Sequence, residues 1–264
     1  MKKTFILLLL VFGTAYSYAQ EQDTSLLDIS AGSDLMSRYV WRGTQFSTGP
    51  SIQPCAEISF KGLTFGAWGA YSFDGNDGAE ADLYLSYTFL KDMLSLTITD
   101  YFFPDEISGA YDYFDYNEET TGHIYEASLS FNGTDNLPLS FLAAVNIYGA
   151  DAKKINKDPN SDTFNEITGN QYSTYMELNY SLKIQECSLD IFAGFTPNKP
   201  NKADNESGYI GESGFYGKTT GFVNIGFTFA KEIEITNNFV LPIQTSLITN
   251  PMDEKIFIVF GLSL

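Results

Sequence analysis

The stretch SDLMSRYVWRGTQFS, residues 33 to 47, sets Asp34, Arg38 and Arg42 among Leu35, Tyr39, Val40 and Trp41. At helical spacing the charges form a stripe, but Leu35 and Tyr39 lie directly beside it and no clean apolar face remains. At period two every charge falls on an even position, while Leu27, Ile29, Ala31, Leu35, Tyr39 and Trp41 fall on odd ones. The segment reads as one strand with two unlike faces.

The same alternation recurs along the chain. Ile52, Ala56, Ile58 and Phe60 alternate with Gln53, Cys55, Glu57 and Ser59; Ala81, Leu83, Leu85, Tyr87 and Phe89 alternate with Glu80, Asp82, Tyr84, Ser86 and Thr88. Twelve such segments are found, the others starting near Leu63, Leu94, His123, Leu139, Tyr172, Cys187, Thr219, Phe239 and Ile256. Each is about nine to twelve residues long, enough for a tilted strand to cross a bilayer. Short turns (61–63, 90–93, 132–138, 183–186, 230–233) follow even-numbered strands, and long polar loops (104–122, 149–171, 197–218) follow odd-numbered ones. That sorting collects the long loops at one end of an up-and-down antiparallel sheet.

Aromatic residues fall at the strand ends. Tyr39, Trp41, Tyr71, Phe73, Phe102 and Phe195 sit on apolar faces near the long loops, and Phe60, Phe89, Phe131, Tyr180 and Phe229 near the short turns. Two aromatic girdles about an aliphatic band are the signature of a transmembrane barrel. The fold expected is all-β, an up-and-down antiparallel transmembrane β-barrel of about twelve strands over residues 20–264. Residues 1–19 read as a signal peptide, with Lys2 and Lys3, an apolar stretch from Phe5 to Gly13, and Ser17 and Ala19 about Tyr18. The export signal and barrel place the protein in the outer membrane of a Gram-negative bacterium.

The chain carries 33 acidic against 15 basic side chains in 264 residues, and this balance excludes nucleic acid as a partner. The expected partners are the bilayer and small hydrophilic solutes or ions. Cys55, inward near a loop end, and Cys187, outward at a turn end, are expected to stay unpaired.

The blocks SRYVWRG (37–43), PSIQP (50–54), FGAWGAYS (65–72), DYFFP (100–104), YEASLSF (125–131), STYMELNYS (173–181) and NPMDEKIFIVFGLSL (250–264) resemble the TorF-like porin family. The resemblance implies an outer-membrane barrel passing small solutes, and it carries no catalytic residues. The chain departs from many outer-membrane barrels in ending on Leu264 rather than on an aromatic residue.

A charge on the lipid face costs about 2 to 4 kcal/mol at the bilayer midplane, so the strand charges belong inside. The expected lumen-lining residues are Asp34, Arg38, Arg42, Glu57, Asp82, Glu126, Glu177 and Asp190, six acids against two bases, which favours cations. Arg38 and Arg42 offer an anion-attracting constriction, or Arg38 an interior ion pair with Glu57 across the first hairpin, with Arg42 nearer the solvated rim. His123 falls on the outward face beside outward Asp100, so a lipid-modifying enzyme is conceivable if a serine joins them; no serine motif does, and the chain reads as a non-enzyme without metal or cofactor. The acidic runs 74–80 and 105–119 read as a solvated rim, lacking calcium-loop order. Glycines at 208, 211, 214 and 217 read as shaping a mobile loop, one that folds toward the pore. The leading function is a passive channel; a barrel with a plugged lumen is the other alternative.

Overall fold

The computed structural model describes residues 27–74, 79–104, 112–134 and 136–264, so the signal-peptide reading of 1–19 and residues 75–78 and 105–111 of the two acidic runs lie outside the described residues; within the described part Glu80 is buried and not on a solvated rim. Among the described residues there is no helix. Twelve antiparallel strands, β1 Leu27–Met36, β2 Ser51–Phe60, β3 Leu63–Ser72, β4 Glu80–Phe89, β5 Leu94–Phe102, β6 His123–Phe131, β7 Leu139–Gly149, β8 Thr174–Ile184, β9 Cys187–Thr196, β10 Gly221–Thr236, β11 Phe239–Asn250 and β12 Lys255–Ser263, pair in chain order. β12 returns to β1 and closes the barrel. Closure joins the two end strands, and the ten strands between them are paired on both sides, so most of the barrel backbone satisfies itself without water.

Apolar side chains point out and polar ones in, the reverse of a soluble core. Ile58, Phe65, Leu85, Leu96, Leu129, Ile191 and Ile258 are exposed on the outer wall. On the inner wall hydroxyl pairs run across the strands: Ser59 with Thr64 (2.7 Å), Ser86 with Thr97 (2.8 Å), Thr88 with Ser95 (2.9 Å) and Thr228 with Ser246 (2.8 Å). So large an exposed apolar belt would drive aggregation in water and marks a surface that meets something apolar. Large inner side chains lie flat over glycines of the next strand. A Cβ on Gly66 would stand 2.1 Å from the Tyr84 ring, and one on Gly226 2.8 Å from Phe192.

Two boundaries differ from the sequence reading. β1 leaves the sheet at Met36 and does not continue to Trp41. β10 runs to Thr236 instead of turning at 230–233, because Glu232 and Glu234 continue the inward parity opposite Ile233 and Ile235, and the turn falls at Asn237 and Asn238. The β1–β12 seam is short, pairing Asp34 with Ser263, Leu35 with Leu262 and Met36 with Gly261, whereas β1 pairs with β2 along its whole length. Cys55 and Cys187 are both free thiols.

Candidate functional site: a septum inside the barrel

After Met36 the chain turns into the lumen. Ser37 ends the seam, its amide donating to the Phe260 carbonyl (2.8 Å) and its hydroxyl accepting from the Phe260 amide (2.9 Å). Val40–Trp41 then pairs with Thr44–Gln45 as a small hairpin whose two-residue turn is Arg42 (φ 48°) and Gly43 (φ 77°). Positive φ at both turn positions matches the right-handed twist of the flanking strands. Glycine is required at 43 for a second reason: a Cβ there would fall 1.9 Å from the Val223 carbonyl oxygen on β10. The tip is held against the wall by Asn250 of β11, whose amide donates to the Gly43 carbonyl (3.2 Å).

Tyr39 and Trp41 are therefore not part of an outer girdle. They keep the odd parity of β1, but parity stops predicting the face once the strand leaves the sheet. Tyr39 is buried against Phe46 and Trp68, with ring centres 5.4 and 5.5 Å away, and Trp41 stands edge-on to Tyr101 of β5 at 5.4 Å.

The hairpin carries Arg42 across the interior. Its guanidinium meets Glu126 of β6 through two bonds, 2.5 and 3.0 Å, and donates to the Tyr216 hydroxyl at 2.6 Å. The rings of Trp41 and Tyr175 (β8) lie 4.4 Å from the guanidinium carbon. Glu126 also accepts from the Tyr101 hydroxyl (3.1 Å) and from Tyr216 (3.4 Å). With side chains 9% and 2% exposed, both charges have left water, and the fork geometry and extra donors offset the desolvation such burial costs. Tyr216 arrives from the 197–220 connection, where a Cβ on Gly217 would meet the Met252 sulfur at 2.0 Å. Burial pushes its phenol above the usual range, opposed by Arg42, so it stays a protonated donor. The 211–217 stretch does enter the barrel, as its glycines suggested.

This septum divides the interior. On the long-loop side lies a cavity of about 570 Å³ bordered by Thr44, Asn201, Glu212, Tyr216 and Lys218. Beneath it a cavity of about 250 Å³ is bordered by Arg38, Arg42, Gln53, Glu177 and Asn224. At the short-turn end a vestibule of about 1070 Å³ is edged by Ser181, Lys183, Ser188, Glu232 and Glu234.

The remaining sequence-selected residues spread over the wall. Asp34 pairs across strands with Gln53, Glu57 accepts a hydrogen bond from the Tyr84 hydroxyl, Asp82 is buried, and Asp190 accepts from Ser181 (2.5 Å). Glu177 is held by the Tyr175 hydroxyl and by the Asn224 amide (2.9 Å). The expected Arg38–Glu57 pair is absent, because Arg38 lies beyond the end of β1, off the ladder that sets cross-strand partners. Nor is Arg42 at a solvated rim; it is the deeply buried member. Tyr101, Tyr175 and Tyr216 complete the septum and were not singled out in the sequence.

On the outer face His123 does meet Asp100, Nδ1 to Oδ1 at 2.8 Å, but Nε2 lies 2.6 Å from the Tyr113 carbonyl oxygen. Phe102, Tyr113 and Tyr116 pack against the ring, and the imidazole is fully buried under the 112–122 connection. Neither ring nitrogen is left for a nucleophile. The pair clasps the loop to the wall, and Phe102, expected in the girdle, is covered with it. Among the described residues no group of three or more His, Cys, Asp or Glu is placed to hold a metal ion.

A family model described as a bacterial protein of unknown function, Gcw_chp, matches residues 20–218. No curated protein matches the chain.

Proposed function

Because the chain belongs to the bacterial family Gcw_chp, whose function is unknown, its own barrel has to supply the reading, and we propose an outer-membrane channel for small hydrophilic solutes or ions, narrowed by the Arg42–Glu126 septum. The exposed aliphatic belt, the hydroxyl-lined interior and the long loops gathered at one end support membrane insertion, as do the reading of residues 1–19 as an export signal and the resemblance to TorF-like porins. The observation that carries the channel reading is a set of three cavities among the described residues, on the long-loop side, at mid-barrel and at the short-turn end, each with charged side chains in its lining and the first two meeting at the septum. Selection would follow from lumen width and charge. The interior wall carries more acids than bases, which concentrates cations in a narrow passage.

The near-complete burial of Arg42 and Glu126 favours a second reading, a barrel closed at rest that conducts only when the hairpin swings off the wall. Conductance of the refolded protein in a planar bilayer under a KCl gradient, with Gly43→Val as the septum-displaced variant, separates the two. A conducting, cation-selective wild type supports the open channel. A silent wild type with a conducting Gly43→Val supports the closed barrel. Silence in both defeats transport, and an anion-selective sign at low salt defeats the charge argument.

A further inference from the structure

Arg42 shows what a satisfied interior arginine looks like here; Arg38 is the contrast. It lines the mid-barrel cavity, makes no ion pair among the described residues, and its Nε is buried with no hydrogen-bond partner. Arg38 is half-buried, and a buried donor atom left without an acceptor is costly, so the group is expected to meet its partner from the cavity.

The opposite charge on the same cavity is Glu177. Its carboxylate is pinned by the Tyr175 hydroxyl and the Asn224 amide, which stop it from swinging to Arg38. The carbonyl oxygen of the same Asn224 side chain is buried and has no donor. One side of the cavity thus offers the Arg38 guanidinium, its Nε without an acceptor, the other the Asn224 side-chain oxygen without a donor, beside a Glu177 carboxylate that makes no ion pair among the described residues. Arg42 roofs the space but is committed to Glu126 and Tyr216. The rest of the lining includes Phe192, Ile248 and Val259. The volume of about 250 Å³ corresponds to roughly eight waters at ~30 Å³ each, room for a small organic solute.

We propose that this cavity binds a small zwitterion of the α-amino-acid class, its carboxylate on Arg38 and its ammonium on Glu177 and the Asn224 side-chain oxygen. An ammonium has three donors to place and a carboxylate matches the planar guanidinium, so one molecule reaches both unpaired atoms and sets an opposite charge against each of Arg38 and Glu177. A simple anion would face Glu177 and leave the Asn224 oxygen without a donor, and a simple cation would face Arg38. The proposal rests on the water-accessible barrel interior and not on conduction through it.

The test is calorimetric titration of the refolded full chain in detergent micelles with glycine, acetate and methylammonium, with tryptophan emission as a second readout because Trp41 and Trp68 pack beside the cavity's Arg42 and Tyr39. Glycine should bind, and each half-ligand should bind about tenfold more weakly or worse. Arg38→Gln and Glu177→Gln should each weaken glycine by about tenfold or more, with Arg38→Lys recovering part of the loss. If Arg38→Gln does not refold, Glu177→Gln and Arg38→Lys carry the same test. Acetate binding as well as glycine, indifference of glycine to Glu177→Gln, or no glycine binding to the wild type would each overturn the proposal. Glycine binding in a non-conducting protein would defeat the channel and leave this site standing; conduction without glycine binding would do the reverse.

Discussion

Replacing Glu126 by glutamine keeps the shape of the septum and removes its negative charge. Arg42, 9% exposed, would keep the Tyr216 hydroxyl at 2.6 Å and the Trp41 and Tyr175 rings at 4.4 Å, but lose a two-bond carboxylate partner. Breaking a buried pair on one side costs about 3–5 kcal/mol, and surviving cation–π contacts of roughly 0.5–2 kcal/mol each place the expected loss near the lower bound. The hairpin has an escape: it can leave the wall and let Arg42 hydrate, so the cost to the whole barrel cannot exceed the hairpin's own docking free energy. A shift of ~3 kcal/mol moves the docked-to-undocked ratio by about a hundredfold. Acrylamide quenching of Trp41 in a Trp68→Phe background should therefore rise well before the barrel's denaturation midpoint falls. The Arg42→Met, Glu126→Gln double variant, with both charges gone, should regain most of the docking. Unchanged quenching in Glu126→Gln, with no recovery in the double variant, would refute the view that the pair holds the septum.

Gly43→Val should undock the hairpin while sparing the strands, since the new side chain meets the Val223 carbonyl and the φ of 77° disfavours it; trypsin cleavage after Arg38 or Arg42, with the strand signal in circular dichroism retained, is the expected result. His123→Leu should free the 112–122 connection by removing both ring contacts, seen as faster chymotrypsin cleavage at Tyr113, Phe114 or Tyr116, with a change in melting temperature of only a few degrees. In that connection the Thr120 hydroxyl and the Asn117 amide hold the Asp115 carboxyl below its usual range. A lowered folded pKa gives stabilisation present above the ordinary value of about 4 and lost as pH falls through the folded one. Amide exchange at Asn117 should thus be slower relative to an unstructured reference at about pH 5 than at about pH 3, a difference that Asp115→Asn should abolish.

The strands were legible because period two is enforced at every position where one face is apolar and the other is not. Ile58 beside Glu57 and Leu85 beside Tyr84 leave little choice of face. The septum was not, for two physical reasons. Tyr39 and Trp41 hold the parity of β1 after the backbone has left it, so alternation alone assigns them to the wrong side; the Arg-Gly pair at 42–43, a turn signal between Trp41 and Thr44, was the available clue. Arg42 finds Glu126 and Tyr216 through tertiary closure, 84 and 174 residues away, and no local pattern encodes partners at that distance. The β10 end was missed because Lys231 and Glu232 look like a turn when they are one outward and one inward position of a long strand.

The hairpin has a further consequence for how the molecule is made. It follows the first strand, yet it is held by side chains on β5, β6, β8 and β11, the last through the Asn250–Gly43 bond spanning 207 residues. None of those surfaces exists when the start of the chain takes its place, and contacts so distant in sequence form only after intervening loops have closed. The septum can seat only once β11 has joined the sheet, so the assembling barrel passes through a stage whose interior is wider and wetter than in the finished one. Trp41 goes from water to an aromatic nest at the end of that stage, so its fluorescence would time the closing of the barrel.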